Sequence, residues 1–270
     1  LDPLTPSQKG GSAVLDQQAR VQLSLELKKQ GVIFTDLVTA ARDYPEKLDK
    51  ILGRVVDPAD GKFAAMTGAY ARNGLFIYIP RGVRLEKTLQ SLFWASGENL
   101  AHYSMLLIYL DKNASLTYIH ETSSADDQEG PSLVGENIEI YVGPGSHLKF
   151  IELQTLGRNV WNFGHQKAIV DQEGSLDWVI ASLGSRLTKR FLSVDLQGEG
   201  ADGKVSGMVF GDGSQHLSYN TRQNHLAPRS NSDLLFKGAL TGSSRSVWRG
   251  MIYVAPDSRF IDGYQANRNL

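Results

Sequence analysis

Six histidines, His102, His120, His147, His165, His216 and His225, are the side chains of this 270-residue chain with the widest chemical reach. Imidazoles move protons near neutral pH and ligate metals. None of the six falls in an HExxH or HxH pattern, or in close spacing with carboxylates on both sides. In "YIHETSS", His120 and Glu121 are neighbours, and successive strand residues face opposite sides, so only one of them can join a given site. The plain reading of this pair is a solvent-facing or hydrogen-bonded group at a strand end. In "QNHLAP", His225 stands beside a Pro-containing turn that could aim an imidazole. The competing reading is a histidine that holds its loop through a backbone hydrogen bond. His147, inside "GPGSHL", is expected at an exposed turn.

Other chemistries find less support. "GPGS" (143–146) and "GDGS" (211–214) lack the Lys-Ser/Thr and the following helix of a phosphate-binding loop, so their glycines are read as turn residues. No serine sits in a G-x-S-x-G elbow. The acidic residues are scattered, and their one cluster, "SADDQEG", has the composition of a solvated loop. "SRLTKR" (185–190) reads as a strand end with long polar side chains, not as a nucleic-acid patch. Trp94, Trp161, Trp178 and Trp248 are expected to fill the core.

The elements that must carry these residues change character near position 74. Residues 1–12 are aperiodic and hold Pro, Gly and Ser, which suggests a mobile lead-in. "ARVQLSLEL" (19–27) alternates, with Val21, Leu23, Leu25 and Leu27 on one face, and predicts a strand. "TDLVTAARDYPEKLDKIL" switches to helical spacing, with Thr35 as N-cap and Pro45 dividing two short helices. "GKFAAMTGAYARNG" predicts a third helix ending at Gly74. Residues 1–73 thus form a small α+β cap.

Residues 74–270 form the β core, where strands of β-branched and aromatic residues are broken by Gly, Asn, Asp and Ser. Turns such as "DKNAS", "GPGS", "DQEGS" and "GDGS" each follow an apolar residue, and an apolar residue resumes after each. They recur about every 14 residues, with a repeat of about 28, the self-similarity of stacked β units. An antiparallel sandwich could also contain such strands. It needs no likeness between alternate turns, however, so the recurrence favours a β-helix.

Composition bounds the function. Lys plus Arg is 28 against 29 for Asp plus Glu, so no net field draws nucleic acid or anionic membrane. No apolar run approaches the ~20 residues of a membrane span. The chain begins without the pattern of a signal peptide. Cysteine is absent, which removes disulfides, thiolate metal sites and thiol nucleophiles from these 270 residues. A cytoplasmic address is the expectation.

From "KKQGVIFTDLVTAARDYPEKL" onward the sequence resembles the SufB/SufD family of iron–sulfur cluster assembly proteins. "NGLFIYIPRGVRLEKTLQ" resembles the start of that family's β core. The most specific stretch is 225–270, whose H-x-A-P, S-D-x-x-[FY]-K-G, R-S-V-x-x-G and Y-Q-x-N-R-N-L series is similar to the SufD branch. The resemblance implies a right-handed parallel β-helix. It also implies a non-catalytic scaffold that pairs with a SufB-like protein and a SufC-like ATPase, around a transient iron–sulfur cluster held by the whole complex. A cysteine that SufB-like chains carry is expected about where Thr122 stands. Trp94 and Ser96 stand where such chains tend to have Arg and Asn.

Family members continue past the N-R-N-L motif. A histidine linked to cluster formation and a helical segment that docks the ATPase are expected there, so these 270 residues alone are expected to bind neither cluster nor ATPase. His120, Glu121 and His225 remain the candidate cluster-related residues, with no catalytic or resident metal-binding set. The exposed solenoid end suggests a homodimer. A secreted-type β-helix carbohydrate-active enzyme, a lyase or esterase, is the alternative; it predicts clustered carboxylates or basic residues in a cleft on one parallel sheet.

Overall fold

The computed structural model describes residues 9–16, 19–126 and 130–270. Residues 1–8 of the expected lead-in, and part of the acidic insertion at 127–129, lie outside them. In chain order the N-terminal strands and helices are β1 (Lys9–Leu15), β2 (Ala19–Leu23), α1 (Leu25–Lys29), β3 (Ile33–Asp36), α2 (Leu37–Asp43), α3 (Pro45–Leu48) and α4 (Lys62–Tyr70). Strands alone follow: β4 (Asn73–Ile79), β5 (Thr88–Trp94), β6 (Ala101–Leu110), β7 (Ser115–Ser123) and β8 (Ser132–Val142). Next come β9 (His147–Thr155), β10 (Val160–Val170), β11 (Ser175–Ser182) and β12 (Leu187–Leu196). The last are β13 (Asp202–Gly211), β14 (His216–His225), β15 (Asn231–Leu240), β16 (Arg245–Val254) and β17 (Asp262–Asn269).

From β4 onward, successive strands alternate between two sheets, and each strand pairs in parallel with the strand two places away. Sheet A has the order β17-β15-β13-β11-β9-β7-β5-β1-β2, and sheet B the order β16-β14-β12-β10-β8-β6-β4-β3. The result is a two-sheet β-solenoid of about 7 turns, so the expected β-helix is found. The repeat is visible in register: His147 lies beside Ser175, 28 residues on, and its Nδ1 is 2.6 Å from the Ser175 hydroxyl. The chain corners fall at the turn motifs. Gly145, Gly200, Gly213 and Gly242 take positive φ there, a backbone region open to glycine at little steric cost.

Alternation puts one face of every strand into the lumen. Leu116, Leu148, Leu176 and Leu217, with Val142, Val170 and Leu196, stack there as a continuous apolar core. Phe150 packs on Tyr118 and Trp178 within it, with ring centroids 5.7 and 5.3 Å apart.

Several local expectations are corrected. Residues 9–12 belong to β1, which pairs in parallel with β5 and extends sheet A. The alternation over 19–27 does not make one strand. Ser24 accepts from Leu27 N and caps α1, so Leu25 becomes exposed while Leu27 is buried. Asp36, not Thr35, caps α2 by accepting from Thr39 N at 2.9 Å. The helix expected to end at Gly74 ends at Tyr70, and Gly74 lies in β4, where a Cβ would collide with the Met105 carbonyl oxygen and the Leu37 side chain. Trp161 is 42% exposed and does not fill the core, whereas Trp178 is fully buried.

Helices α2, α3 and α4 lie on the outer face of sheet B, where a second apolar cluster includes Ala40, Leu48, Ile51, Phe76 and Leu107, whereas Leu27 of α1 joins the lumen core. Glu139 of β8 pins this layer. Its carboxylate accepts from Gly53 N and Val55 N at 2.9 Å and from Val56 N at 3.3 Å. Tyr78, Tyr109 and Tyr141 stack beside it in register, and Tyr78 and Tyr141 donate to Asp111 and Asp171.

Candidate functional site in the solenoid lumen

The apolar lumen is interrupted where the chain passes from sheet A to sheet B. Here strand parity points polar side chains inward. Tyr118, His120 and Thr122 come from β7, Glu152 and Gln154 from β9, and Glu136, Gln166 and Arg190 from β8, β10 and β12. Every one is buried.

The network is built around Glu136. His120 Nε2 lies 2.9 Å from Glu136 Oε1, and Arg190 Nη2 donates to Glu136 Oε2 at 3.0 Å. His120 is oriented from its other side by the Ser91 hydroxyl, 2.7 Å from Nδ1, and Ser91 also pairs with the Tyr118 hydroxyl. Thr122 Oγ1 lies 3.2 Å from His120 Nε2. One coil further, Glu152 accepts from Gln166 Nε2 at 2.6 Å and from Trp178 Nε1 at 3.3 Å.

Register explains how Arg190 reaches Glu136. The residue between them in sheet B is Gly164, paired with Glu136 on one side and Arg190 on the other. The guanidinium crosses over this glycine, and a Cβ there would overlap Arg190 Nη1 and stand 2.6 Å from the Glu136 carbonyl oxygen. A strand glycine of this kind marks a close approach.

Burial opposes ionisation of Glu136, but the charges of His120 and Arg190 and their hydrogen bonds outweigh it and hold the carboxyl at about 2. Burial works against the Arg190 cation as well, and Glu136 and Glu152 more than compensate, raising its pKa. Glu152 follows burial, and its pKa is raised despite the nearby guanidinium. The cluster therefore carries an ionised Glu136–Arg190 pair, flanked by a carboxyl that resists ionisation. A void of about 10 Å³ beside His120 and Glu136 lies at the lower limit for one water. Among the described residues, the buried Arg190 Nη1, Gln166 Oε1 and Asn162 Oδ1 find no hydrogen-bond partner.

The candidate residues separate. His120 is buried and hydrogen-bonded in this network, so of the two plain readings the solvent-facing one does not hold. Glu121 faces outward on the same strand and accepts from Thr155 Oγ1 at 3.4 Å. His225 is buried at the opposite corner, since it is in register with Leu196, itself in register with Val170 and Val142. Its Nδ1 and Nε2 lie 2.8 and 2.9 Å from the Ser230 and Ser232 hydroxyls, and Ser258 Oγ donates to its carbonyl. Burial lowers the His225 pKa and favours neutral imidazole. It acts as a corner brace, through hydroxyls as well as backbone.

"SRLTKR" is likewise not a mere strand end, because Arg190 lies inside the solenoid. His147 is exposed at the start of β9, as expected. Among the described residues, no group of three or more His, Cys, Asp or Glu side chains is placed to hold a metal ion.

Comparison with known proteins decides the family. The model for the SUF system FeS cluster assembly SufBD core domain matches residues 93–270, and that for the SufBD protein N-terminal region matches 13–91. The chain belongs to the SufBD family. An iron-sulfur cluster assembly SufBD family protein of Staphylococcus epidermidis is 32% identical over 228 residues, covering 84% of this chain and 49% of the relative. A SufBD family protein of Staphylococcus aureus shows the same identity and coverage. The iron-sulfur cluster assembly protein SufB of Bacillus subtilis is 29% identical over 242 residues, 90% of this chain and 51% of that protein. The chain thus spans about half the length of the curated relatives it matches. No helix among the described residues is long and apolar enough to cross a membrane.

Proposed function

We propose that this SufBD family member is a SufD-like, non-catalytic scaffold component of a cytoplasmic iron–sulfur cluster assembly complex. On this reading it pairs with a SufB-like protein and a SufC-like ATPase. The observation that carries it is the environment of Thr122. Where the resemblance places a cysteine in SufB-like chains, this chain has a buried hydroxyl 3.2 Å from His120, inside a network already organised around Glu136 and Arg190. A hydroxyl cannot carry persulfide sulfur, and no thiol occurs elsewhere in the 270 residues. Sulfur and iron are then cargo of the complex, received on the partner's side, and this chain contributes shape and contact surface. The SufD-like motifs over 225–270 begin at the last residue of β14 and run through β15, β16 and β17.

Co-purification tests the reading. A form of the protein spanning the relatives' full length is expected to be retained by a tagged SufB-like partner and to bring the SufC-like ATPase with it. Failure to bind either partner would remove the proposal.

One observation bears on the carbohydrate-enzyme alternative. Asp202, Asp233 and Asp262 line an outward groove on sheet A with Lys204 and Arg268. Membership of an assembly family weighs against that activity. Cleavage of a pectin-like polymer by this chain, abolished by Asp233→Asn, would restore it.

A further inference from the structure

The outer face of sheet B carries a second constellation, away from the lumen. Beyond the edge of the helical layer lies a cavity of about 480 Å³, within the size range of small-molecule sites. Register lays out its floor in rows. His165, Phe191, Asn220 and Arg249 stand side by side on β10, β12, β14 and β16. Lys167, Ser193, Arg222 and Met251 form the next row. Val56 and Asp60 form part of the wall.

Side-chain size creates the space. His165 and Phe191 stack at 4.6 Å between centroids, and the Lys189 ammonium also stands over the Phe191 ring, 5.3 Å from its centroid. Asn220 is short, and Arg249 follows on β16. Two strand spacings separate Phe191 from Arg249, ~9.5 Å. A flat ring in contact with both neighbours needs ~7 Å. The slot above Asn220 therefore has room for one planar ring, with an aromatic face on one side and a guanidinium on the other. At its base Asn220 Nδ2 is buried, with no hydrogen-bond partner among the described residues.

Charge in the next row completes the picture. Lys167 and Arg222 border the same cavity. Lys167 pairs with Asp195 at 3.2 Å, and Arg222 spends its Nε on Asn224 while lying over Tyr253. Among the described residues, the remaining guanidinium nitrogens of Arg222 and the Arg249 head group meet no acceptor. Against Asp60 and Asp195, the three cations leave the cavity positive.

We propose that this cavity binds a small ligand made of a planar heteroaromatic ring and a phosphate group, of nucleoside monophosphate size. The ring lies between Phe191 and Arg249 over Asn220, whose amide donates to a ring acceptor. The phosphate faces Arg222 and Lys167. No covalent step is involved.

Calorimetric titration of the chain with AMP, adenosine and inorganic phosphate tests this. AMP is expected to bind more tightly than either part alone. Asn220→Leu, which fills the slot, and Arg222→Gln, which removes the charge, are each expected to weaken AMP binding about tenfold or more, the scale of a lost charge-assisted contact. Arg249→Gln, at an exposed position on β16, is expected to weaken AMP more than inorganic phosphate. The proposal is overturned if AMP does not bind, if it binds no better than inorganic phosphate, or if all three variants bind it like the parent chain.

Discussion

Arg190→Met is the substitution that most directly probes the buried cluster. It keeps the length of the side chain but removes the guanidinium that contacts Glu136. Both groups are about 1% exposed, so water cannot take the place of the lost partner. Stranding one member of a buried ion pair costs about 3–5 kcal/mol. The electrostatics around Glu136 point to the same scale. Glu136 is held at about 2 from an ordinary 4.5, a displacement worth about 3 kcal/mol, shared between His120 and Arg190 after the opposing cost of burial.

The sign follows from the direction of the shift. A carboxyl depressed in the folded state adds stability above its unfolded pKa, and that stability is lost as pH falls from about 4.5 toward about 2. Urea unfolding at neutral pH is the assay, with Glu136→Gln and the double variant completing a cycle. The double variant is expected to lose less than the sum of the single losses, because each single change already abolishes the pair. A loss below about 1 kcal/mol in Arg190→Met, the level of an exposed pair, would refute the reasoning.

Other perturbations follow from the same geometry. Gly164→Ala places a methyl group against Arg190 Nη1 and the Glu136 carbonyl oxygen, so a loss of about 1–3 kcal/mol is expected in the same unfolding assay. Glu139→Leu leaves the Gly53, Val55 and Val56 amides without their acceptor, and faster hydrogen exchange should appear over residues 51–57 before the solenoid strands change. Thr122→Cys introduces a thiol at a position 1% exposed, and a thiol reagent should label it only after denaturation.

The repeat of turns was legible because a solenoid corner makes the same demand at every coil, namely a polar turn flanked by apolar residues that stack on their equivalents. The cap was less so. Leu25 and Leu27 continue the alternation of Val21 and Leu23, yet Ser24 offers its hydroxyl to Leu27 N and the chain turns helical. Local capping overrode a period-two pattern.

For the site, adjacency drew attention to His120 and Glu121, and strand parity correctly divided them between faces. The decisive partners were missed, although parity carried their signal too. Glu136 shares its face of β8 with Val134, Ile138 and Ile140, and Arg190 shares its face of β12 with Leu192, Val194 and Leu196. A charge on the apolar side of a buried strand is a demand for a partner. Which partner answers depends on cross-coil register, and Gly164 between the two strands shows that link only once the sheets are stacked.

The proposed role is tested most directly by complementation of two bacterial strains, one lacking its SufD-like component and the other its SufB-like component. A form of this protein spanning the relatives' full length is expressed in each, and the activity of an iron–sulfur enzyme is read in extracts. The account predicts recovery in the strain without the SufD-like component and none in the other. Rescue of the strain lacking the SufB-like component, or of neither strain despite normal expression, would contradict it.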